Sequence, residues 1–436
     1  MFFYYFQLGV RSLRRNPVLT ALMVLAIGFG VGASMTTYAV FRATSNDPLP
    51  DKSSKLFLPQ IDNWGPTAKE NKGEPPQALS YVDTMALMRA HRARHQTAIY
   101  PIGVTIIPAD ASVLPFQEVS YASYGDAFPM FDVPFLYGSG WPPSADESHA
   151  AVAVIGRELN QKLFGGANSV GREINLGGRS YRISGVMDEW KPQPMFFDAA
   201  NSNGFSEPTQ LFIPFTRAID MKMTTTGNSI CDKSPGNDWD ALLHSECAWI
   251  AYWVELPDEA SVADYRSYLR DYASEQQRAG RFKWAPNIRL RDVMQWLDYL
   301  GVVPPESRIS LMVALSFLLI CLVNTVGLLL AKFMRRAPEV GVRRALGATR
   351  KSIYMQFLIE AAIIGLAGGL LGLALTGLGT LGIDLVFDPG IARLATFDTS
   401  LVGLTLLLSI VATVLAALYP VWRAAQVQPA WQLKIH

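Results

Sequence analysis

The sequence predicts an α-helical membrane protein in which four transmembrane helices carry one large α+β extracytoplasmic domain. Three observations predict it. First, four long runs hold no Asp, Glu, Lys or Arg: those between Arg15 and Arg42, Arg308 and Lys332, Glu360 and Asp384, and Asp398 and Arg423. Each exceeds the roughly 20 residues a helix needs to cross the hydrocarbon core. Second, the remaining charges are sorted by segment. The stretch from Arg42 to Arg308 carries 25 basic and 32 acidic residues, whereas Lys332 to Lys351 carries seven basic residues against the single acid Glu339. Third, the long segment between the first two runs is divided by Gly, Pro, Asn and Asp clusters into short strand-like and helix-like pieces. The chain is 17% charged, against about a quarter in ordinary soluble domains. Its net charge of +1 gives no basic excess for a nucleic-acid surface.

Taken in order, residues 1–17 carry the basic Arg11, Arg14 and Arg15, and 18–41 form the first span. That span is longer than a signal-peptide core of about 7–15 residues and no A-x-A site follows, so an uncleaved anchor is expected. The other spans are 310–331, 353–381 and 399–422. The positive-inside rule places 1–17, the loop 332–352 and the tail 423–436 in the cytoplasm. It places 42–309 and the loop 382–398 outside. Gly28 and Gly32, Gly365 and Gly369, and Gly368 and Gly372 are each four apart, a spacing that lets helix backbones approach closely. Asn324 and Glu360 are nearly the only strongly polar groups in the spans, too few to line a channel. An acid at membrane depth is costly and suggests a role; Glu360 lies within reach of the basic loop.

The external segment reads as two strand–helix–strand units flanking a β-rich insert. The first unit has a strand near 55–60, a helix from Ser80 to Arg92 and a strand from Thr97 to Ile107. The second has a strand from Ala248 to Leu256, a helix from Ser261 to Arg278 and a strand from Trp284 to Leu290. The insert contains Val152–Gly156, a helix to Phe164, a hairpin turning at Gly177–Gly178 and a strand over Gln210–Phe215. Cys231 and Cys247 flank a polar stretch, and outside the cytosol such a pair can oxidise. Closing that loop stabilises by about 3 kcal/mol on the chain-entropy model, so a disulfide is expected over two distant free thiols. Cys321 is expected to pack inside the second span.

No catalytic constellation emerges. His91 and His95 are four apart on the expected helix, but their setting RAHRARHQ repels cations and reads as a solvated basic face. His149 and His244 have no evident ligand partner, and neither G-x-S-x-G nor H-E-x-x-H occurs. Phe128, Phe131, Phe135 and Trp141 read as core rather than as a groove for an apolar ligand.

The loop carries the sharpest pattern. Pro338 opens a short helix at its first position, and Glu339 in the first turn suits the helix dipole. Val340, Val342, Ala345 and Leu346 supply an apolar stripe, with Gly341 among them and Arg343 and Arg344 beside them. Gly347 ends the helix. Ala348, Thr349 and Arg350 lead into the third span. Such a helix is suited to pass force from a cytoplasmic partner, and equally to fix topology and bind lipid headgroups.

The stretch Glu339–Lys351, with Gln356, Glu360 and the run GLAGGLLGLALTGLG, resembles the FtsX/MacB-type permeases of ABC transporters, the type VII group. The opening FQLGVRSLRRNPVLTALMVLAIGFGVGAS resembles the family's amphipathic entry helix, here 1–17, and its first membrane helix, and the stretch VAVIGRELNQKLFGGANSVGREINLGGRSYRISGV resembles its periplasmic core domain. The resemblance implies that Pro338–Arg350 is a coupling helix docking on a nucleotide-binding subunit. It also implies that 42–125 and 248–309 are porter-like and 126–247 a sabre-like insert, in the periplasm of a cell with an inner membrane. MacB carries its ATPase before the first span. This sequence has no G-x-x-x-x-G-K-[ST] and only about 15 residues before that span, so the ATPase is expected on a separate chain, in two copies. That chain would hold ATP and Mg; this one would bind no cofactor and catalyse nothing. A second permease copy or homologue, a periplasmic adaptor and an outer-membrane channel are further expected partners. The implied function is mechanotransmission for efflux or export. The alternatives are FtsX-like activation of a cell-wall hydrolase and LolCDE-like lipoprotein extraction. A membrane-anchored sensor or enzyme without an ATPase partner is disfavoured by the coupling segment.

Overall fold

The computed structural model describes residues 16–66, 73–110, 112–202, 204–236, 238–302, 305–383 and 399–426. Most of the expected helix 1–17, most of the loop 382–398 and most of the tail 423–436 lie outside these. The chain divides into two compact units: residues 1–45 with 303–436, and residues 46–302.

The first unit is helical. Its long helices are α1 (Pro17–Ser45), α6 (Pro305–Met334), α8 (Arg350–Ile383) and α9 (Thr399–Ala425), with the short α7 (Ala337–Ala345) between α6 and α8. All four long helices have the length and apolarity to cross a membrane, over Pro17–Arg42, Arg308–Met334, Arg350–Thr380 and Thr399–Ala425. Helical structure overruns the expected spans because the flanking polar residues continue the same backbone hydrogen bonding. Met23, Ile27, Val31, Leu329, Phe333, Phe357, Ile364 and Val421 form its buried core.

Small residues set the helix contacts. A Cβ at Gly368 would lie 2.6 Å from the Ile27 side chain of α1, and one at Gly365 would lie 2.9 Å from the Ser409 carbonyl oxygen of α9. Gly28, Gly32 and Gly372 face the same α1–α8 seam, and Gly369 faces Ser409 across α8–α9. Interleaved glycines on α8 thus serve two neighbours, one from each of two faces. Cys321 is buried, beside Gly30 of α1.

The second unit is built on one mixed sheet. Its strands are β1 (Leu56–Ile61), β2 (His95–Ile102), β3 (Thr105–Ile107), β4 (Phe116–Gln117), β5 (Ser120–Ser123), β6 (Phe135–Gly138), β7 (Val152–Gly156), β8 (Glu173–Leu176), β9 (Arg179–Met187), β10 (Leu211–Pro214), β11 (Ala251–Glu255) and β12 (Ile288–Asp292). The order is β12-β1-β11-β2-β5-β10-β7-β9-β8-β3-β4, with β6 also on β9. The two strand–helix–strand units therefore interlock: β1 of the first lies between β12 and β11 of the second. Their helices are α2 (Tyr81–Ala90) and α4 (Glu259–Arg278), capped by Ser80 and Asp258, whose side chains accept from the backbone N–H groups of Asp83 and Ser261. Helix α3 (Arg157–Phe164) follows β7, and α5 (Val293–Leu300) opens with a capping box between Asp292 and Gln295.

Several sequence expectations are corrected. The strand expected over Thr97–Ile107 breaks at Gly103–Val104; β2 pairs with β5 and β11, whereas β3 crosses to the far edge and pairs with β8 of the insert. The last strand lies at Ile288–Asp292 rather than 284–290, in register with β1 from Phe57↔Asp292 to Ile61↔Ile288. Trp284 is instead held in the preceding loop, where its indole N–H donates to the Asp62 carbonyl at 2.8 Å. Helix α2 stops at Ala90, because His91 adopts a left-handed cap (φ 46°); His91 and His95 therefore share no helix face. The turn between β8 and β9 is formed by Gly177 (φ 58°) and Gly178 (φ 84°), a conformation that suits glycine. Cys231 and Cys247 are joined in a disulfide.

Candidate functional site

The site is built around α7. Arg336 caps its start, Pro338 lies in its first turn, and Leu346 caps its end. Gly347 then takes φ +98°, which favours glycine and releases the chain toward α8. The Thr349 hydroxyl accepts from the Ser352 N–H at 3.3 Å, starting α8.

The expected single apolar stripe is divided. Ala337, Val340 and Gly341 are buried, Val340 within the core of the helical unit. Val342 is 54% and Leu346 83% exposed, and Ala345 is also exposed. Val340 and Val342 are two residues apart, about 200° around a helix, so they cannot share a face. One side of α7 is anchored, and the other presents apolar groups outward.

The anchor is ionic. Glu360 of α8 is 1% exposed; its Oε1 lies 2.8 Å from the Lys332 ammonium, itself wholly buried. Its Oε2 accepts from Arg336 Nη1 at 2.7 Å. Arg336 also reaches Glu339 at 3.3 Å, and its guanidinium lies 5.5 Å from the centre of the Phe357 ring. Glu339 pairs in turn with Arg343 at 2.8 Å, and Arg343 donates to the Gln356 side-chain oxygen at 2.9 Å. Arg344 donates to the Ala425 carbonyl at the end of α9. A continuous chain of charges thus binds α6, the turn after it, α7 and α8. Burial opposes the Arg336 charge, but the carboxylates of Glu360 and Glu339 outweigh it and raise the guanidinium pKa further.

Sequence reading singled out Glu360, Glu339, Arg343 and the Pro338–Arg350 segment, and the structure brings these together. A basic partner for Glu360 from this loop was expected, without naming which; the structure supplies Lys332 and Arg336. The signal was present: Lys332 and Arg336 are four apart, which places them on one side of the chain as it leaves α6. Ala348, Thr349 and Arg350 lie in the turn and at the start of α8, Arg350 exposed. Asn324 stands apart on the exposed face of α6, away from Glu360.

A second ionic hub, unnoticed in the sequence, lies in the sheet unit. Arg281 grips two carboxylates with paired bonds, to Asp83 at 2.6 and 2.9 Å and to Glu246 at 2.7 Å twice. The Tyr272 hydroxyl donates to Asp83 at 2.7 Å. These ties join the start of α2, the end of α4 and the residue beside Cys247. Among the described residues no group of three or more His, Cys, Asp or Glu is placed to hold a metal ion.

Comparison with known families places both units. Residues 20–272 match the MacB-like periplasmic core domain, and residues 311–429 match the FtsX-like permease C-terminal domain. Among individual relatives, the chain is 22% identical over 392 residues to the macrolide export ATP-binding/permease protein MacB of Azoarcus sp., covering 88% of this chain and 52% of that protein. It is 22% identical over 384 residues to the pyoverdine export ATP-binding/permease protein PvdT of Pseudomonas putida, covering 85% and 51%. It is 24% identical over 394 residues to MacB of Wolinella succinogenes, covering 86% and 52%. The chain thus spans about half the length of these relatives. The periplasmic region of MacB from Actinobacillus actinomycetemcomitans aligns over 56% of this chain and 92% of its own, with a TM-score of 0.36 and 11% identity. The first match runs from the first long helix through the sheet unit as far as residue 272, the second spans the other three long helices, and the chain belongs to the MacB-like and FtsX-like family of ABC transporter permeases.

Proposed function

We propose that this chain is the transmembrane subunit of an ABC transporter complex that works by mechanotransmission. ATP hydrolysis on two copies of a nucleotide-binding partner, which would hold ATP and Mg, moves α7. The ionic anchor passes that motion to α6 and α8, and the helices tilt the external domain to export a substrate from the periplasm. The observation that carries this reading is the two-faced α7, with Val342, Ala345 and Leu346 outward and Glu339 and Arg343 tied back to α8. In this reading α7 and both termini face the cytoplasm, in the inner membrane, as the seven basic residues between Lys332 and Lys351 favour. A second copy of the chain, or a homologue, completes the transporter. The outward face of α6, with Met312, Val313 and Ile320 exposed, offers apolar area for it. A periplasmic adaptor and an outer-membrane channel would receive the substrate.

The test is substrate-stimulated ATPase activity of the complex in lipid nanodiscs. Val342→Asp and Leu346→Asp should abolish stimulation, while unfolding of the permease shifts by less than about 0.5 kcal/mol, as expected of exposed positions. Glu339→Gln and Arg343→Met should also lose stimulation while the subunits stay assembled. Undiminished stimulation in all four variants would overturn the proposal.

A further inference from the structure

A cleft of about 400 Å³ opens in the sheet unit where the end of α2 faces the insert. Met85, Met88 and Tyr124 line it with apolar and polarisable surface, and Asp126, Asp146 and Glu147 bring three carboxylates to the same walls. Among the described lining residues Arg89 is the one permanent cation, and it is exposed, its Nε bonded to the Met85 carbonyl at 3.0 Å. The carboxylates are not equally engaged. Asp146 accepts from the Gly125 N–H at 2.9 Å and the Trp141 indole at 3.0 Å. Asp126 uses one oxygen, which accepts from the Gln96 N–H and lies 3.5 Å from the His95 ring. Glu147 has no hydrogen-bond or ion-pair partner among the described residues. Two carboxylates thus keep acceptor capacity beside a floor of two thioethers and a phenol.

The rim is conformationally unusual as well. Of the four non-glycine residues with positive φ among those described, two line this cleft: His91 (φ 46°) and His149 (φ 53°). His91 takes this backbone as the left-handed cap that ends α2. Burial chiefly, and then the negative charges of Asp126 and Glu147, lift the Asp146 carboxyl to about 6.

We propose that this cleft binds a small amphiphile bearing a protonated amine, with the ammonium between Asp126 and Glu147 and the apolar body on Met85, Met88 and Tyr124. The chemistry follows from complementarity. A cation is attracted to the carboxylates and to the face of a tyrosine ring, and methionines adapt to irregular apolar shapes. An anion of the same shape meets like charge, and a neutral one gains only the floor. This inference does not depend on coupling to an ATPase.

The experiment uses the full chain in zwitterionic-lipid nanodiscs, with empty nanodiscs subtracted. The probes are 4-phenylbutylammonium, 4-phenylbutanol and 4-phenylbutyrate, and affinities come from equilibrium dialysis. The ammonium should bind at least tenfold more tightly than the carboxylate. The double variant Asp126→Asn/Glu147→Gln should lose that advantage and retain the affinity for the alcohol. A Met85→Gln variant should weaken all three, with an unchanged circular dichroism spectrum showing that the fold survives. Equal binding of ammonium and carboxylate by the unaltered protein, or an unchanged ammonium preference in the double variant, would overturn the inference.

Discussion

The two ionic hubs are mirror images in charge. In the sheet unit one cation, Arg281, is held by two carboxylates; in the helical unit one carboxylate, Glu360, is held by two cations, Lys332 and Arg336. Each sign matches its surroundings, since the segment from Arg42 to Arg308 is acidic and the loop after Lys332 basic. The geometries differ too. Arg281 makes paired bonds to both partners, and every residue it touches belongs to one packed sheet domain. Such a planar, two-pronged grip fixes orientation. Glu360 gives one oxygen to each cation, and its partners lead to α7, whose far side is exposed. The first hub ties together parts of one sheet domain. The second ties α6, the turn after it and α8 together at the base of α7.

That contrast is broken most strongly by removing the central residue of each. Arg281→Met leaves Asp83 buried without its cation, and loss of one partner from a buried pair costs about 3–5 kcal/mol. The urea midpoint of the sheet unit, followed by tryptophan fluorescence of the full chain in detergent, should fall accordingly. Glu360→Gln leaves Lys332 buried and uncompensated, at a similar cost of about 3–5 kcal/mol, but in the helical unit. It should leave the sheet unit's transition in place and remove ATPase stimulation. If both variants shifted the sheet unit equally, the division of roles would fail.

A smaller effect sharpens the picture of the acidic sheet unit. Burial lifts the Asp146 carboxyl from an ordinary 3.8 to about 6, so the folded chain holds that proton more tightly than the unfolded chain does. The resulting stability is fully present below about pH 3.8 and is lost as pH rises through about 6. A shift of this size is worth about 1–3 kcal/mol. Comparing unfolding of the unaltered chain and Asp146→Asn between pH 4 and 7.5 should show this pH-dependent part vanish in the variant, whatever constant offset the amide brings. An identical pH profile in the two would show that Asp146 ionises without cost.

The spans and the α7 segment were legible in the sequence because each rests on local pattern. Charge-free runs longer than a bilayer need no tertiary information, and neither do a proline near a helix start and a glycine after its end. The glycine pairs were legible as contact faces, although the sequence did not say that Gly368 faces α1 while Gly365 faces α9. What escaped depends on distant partners. Asp83 and Arg281 are 198 residues apart, and nothing near either marks the other. The crossing of β3 to the far edge escaped for the same reason, since its partner β8 lies beyond four intervening strands in sequence. The outward turn of Val342 was readable from helical spacing alone; reading four apolar residues as one stripe concealed it.

The central claim is that the exposed face of α7 docks on an ATP-binding chain. Its most direct test places a photoactivatable benzoylphenylalanine at position 346, where the native leucine is 83% exposed, and illuminates native membranes. The account predicts an adduct with an ATP-binding polypeptide, whose yield changes when ATP is trapped with vanadate. Adducts to lipid alone, with no ATP-binding chain captured in either nucleotide state, would contradict it.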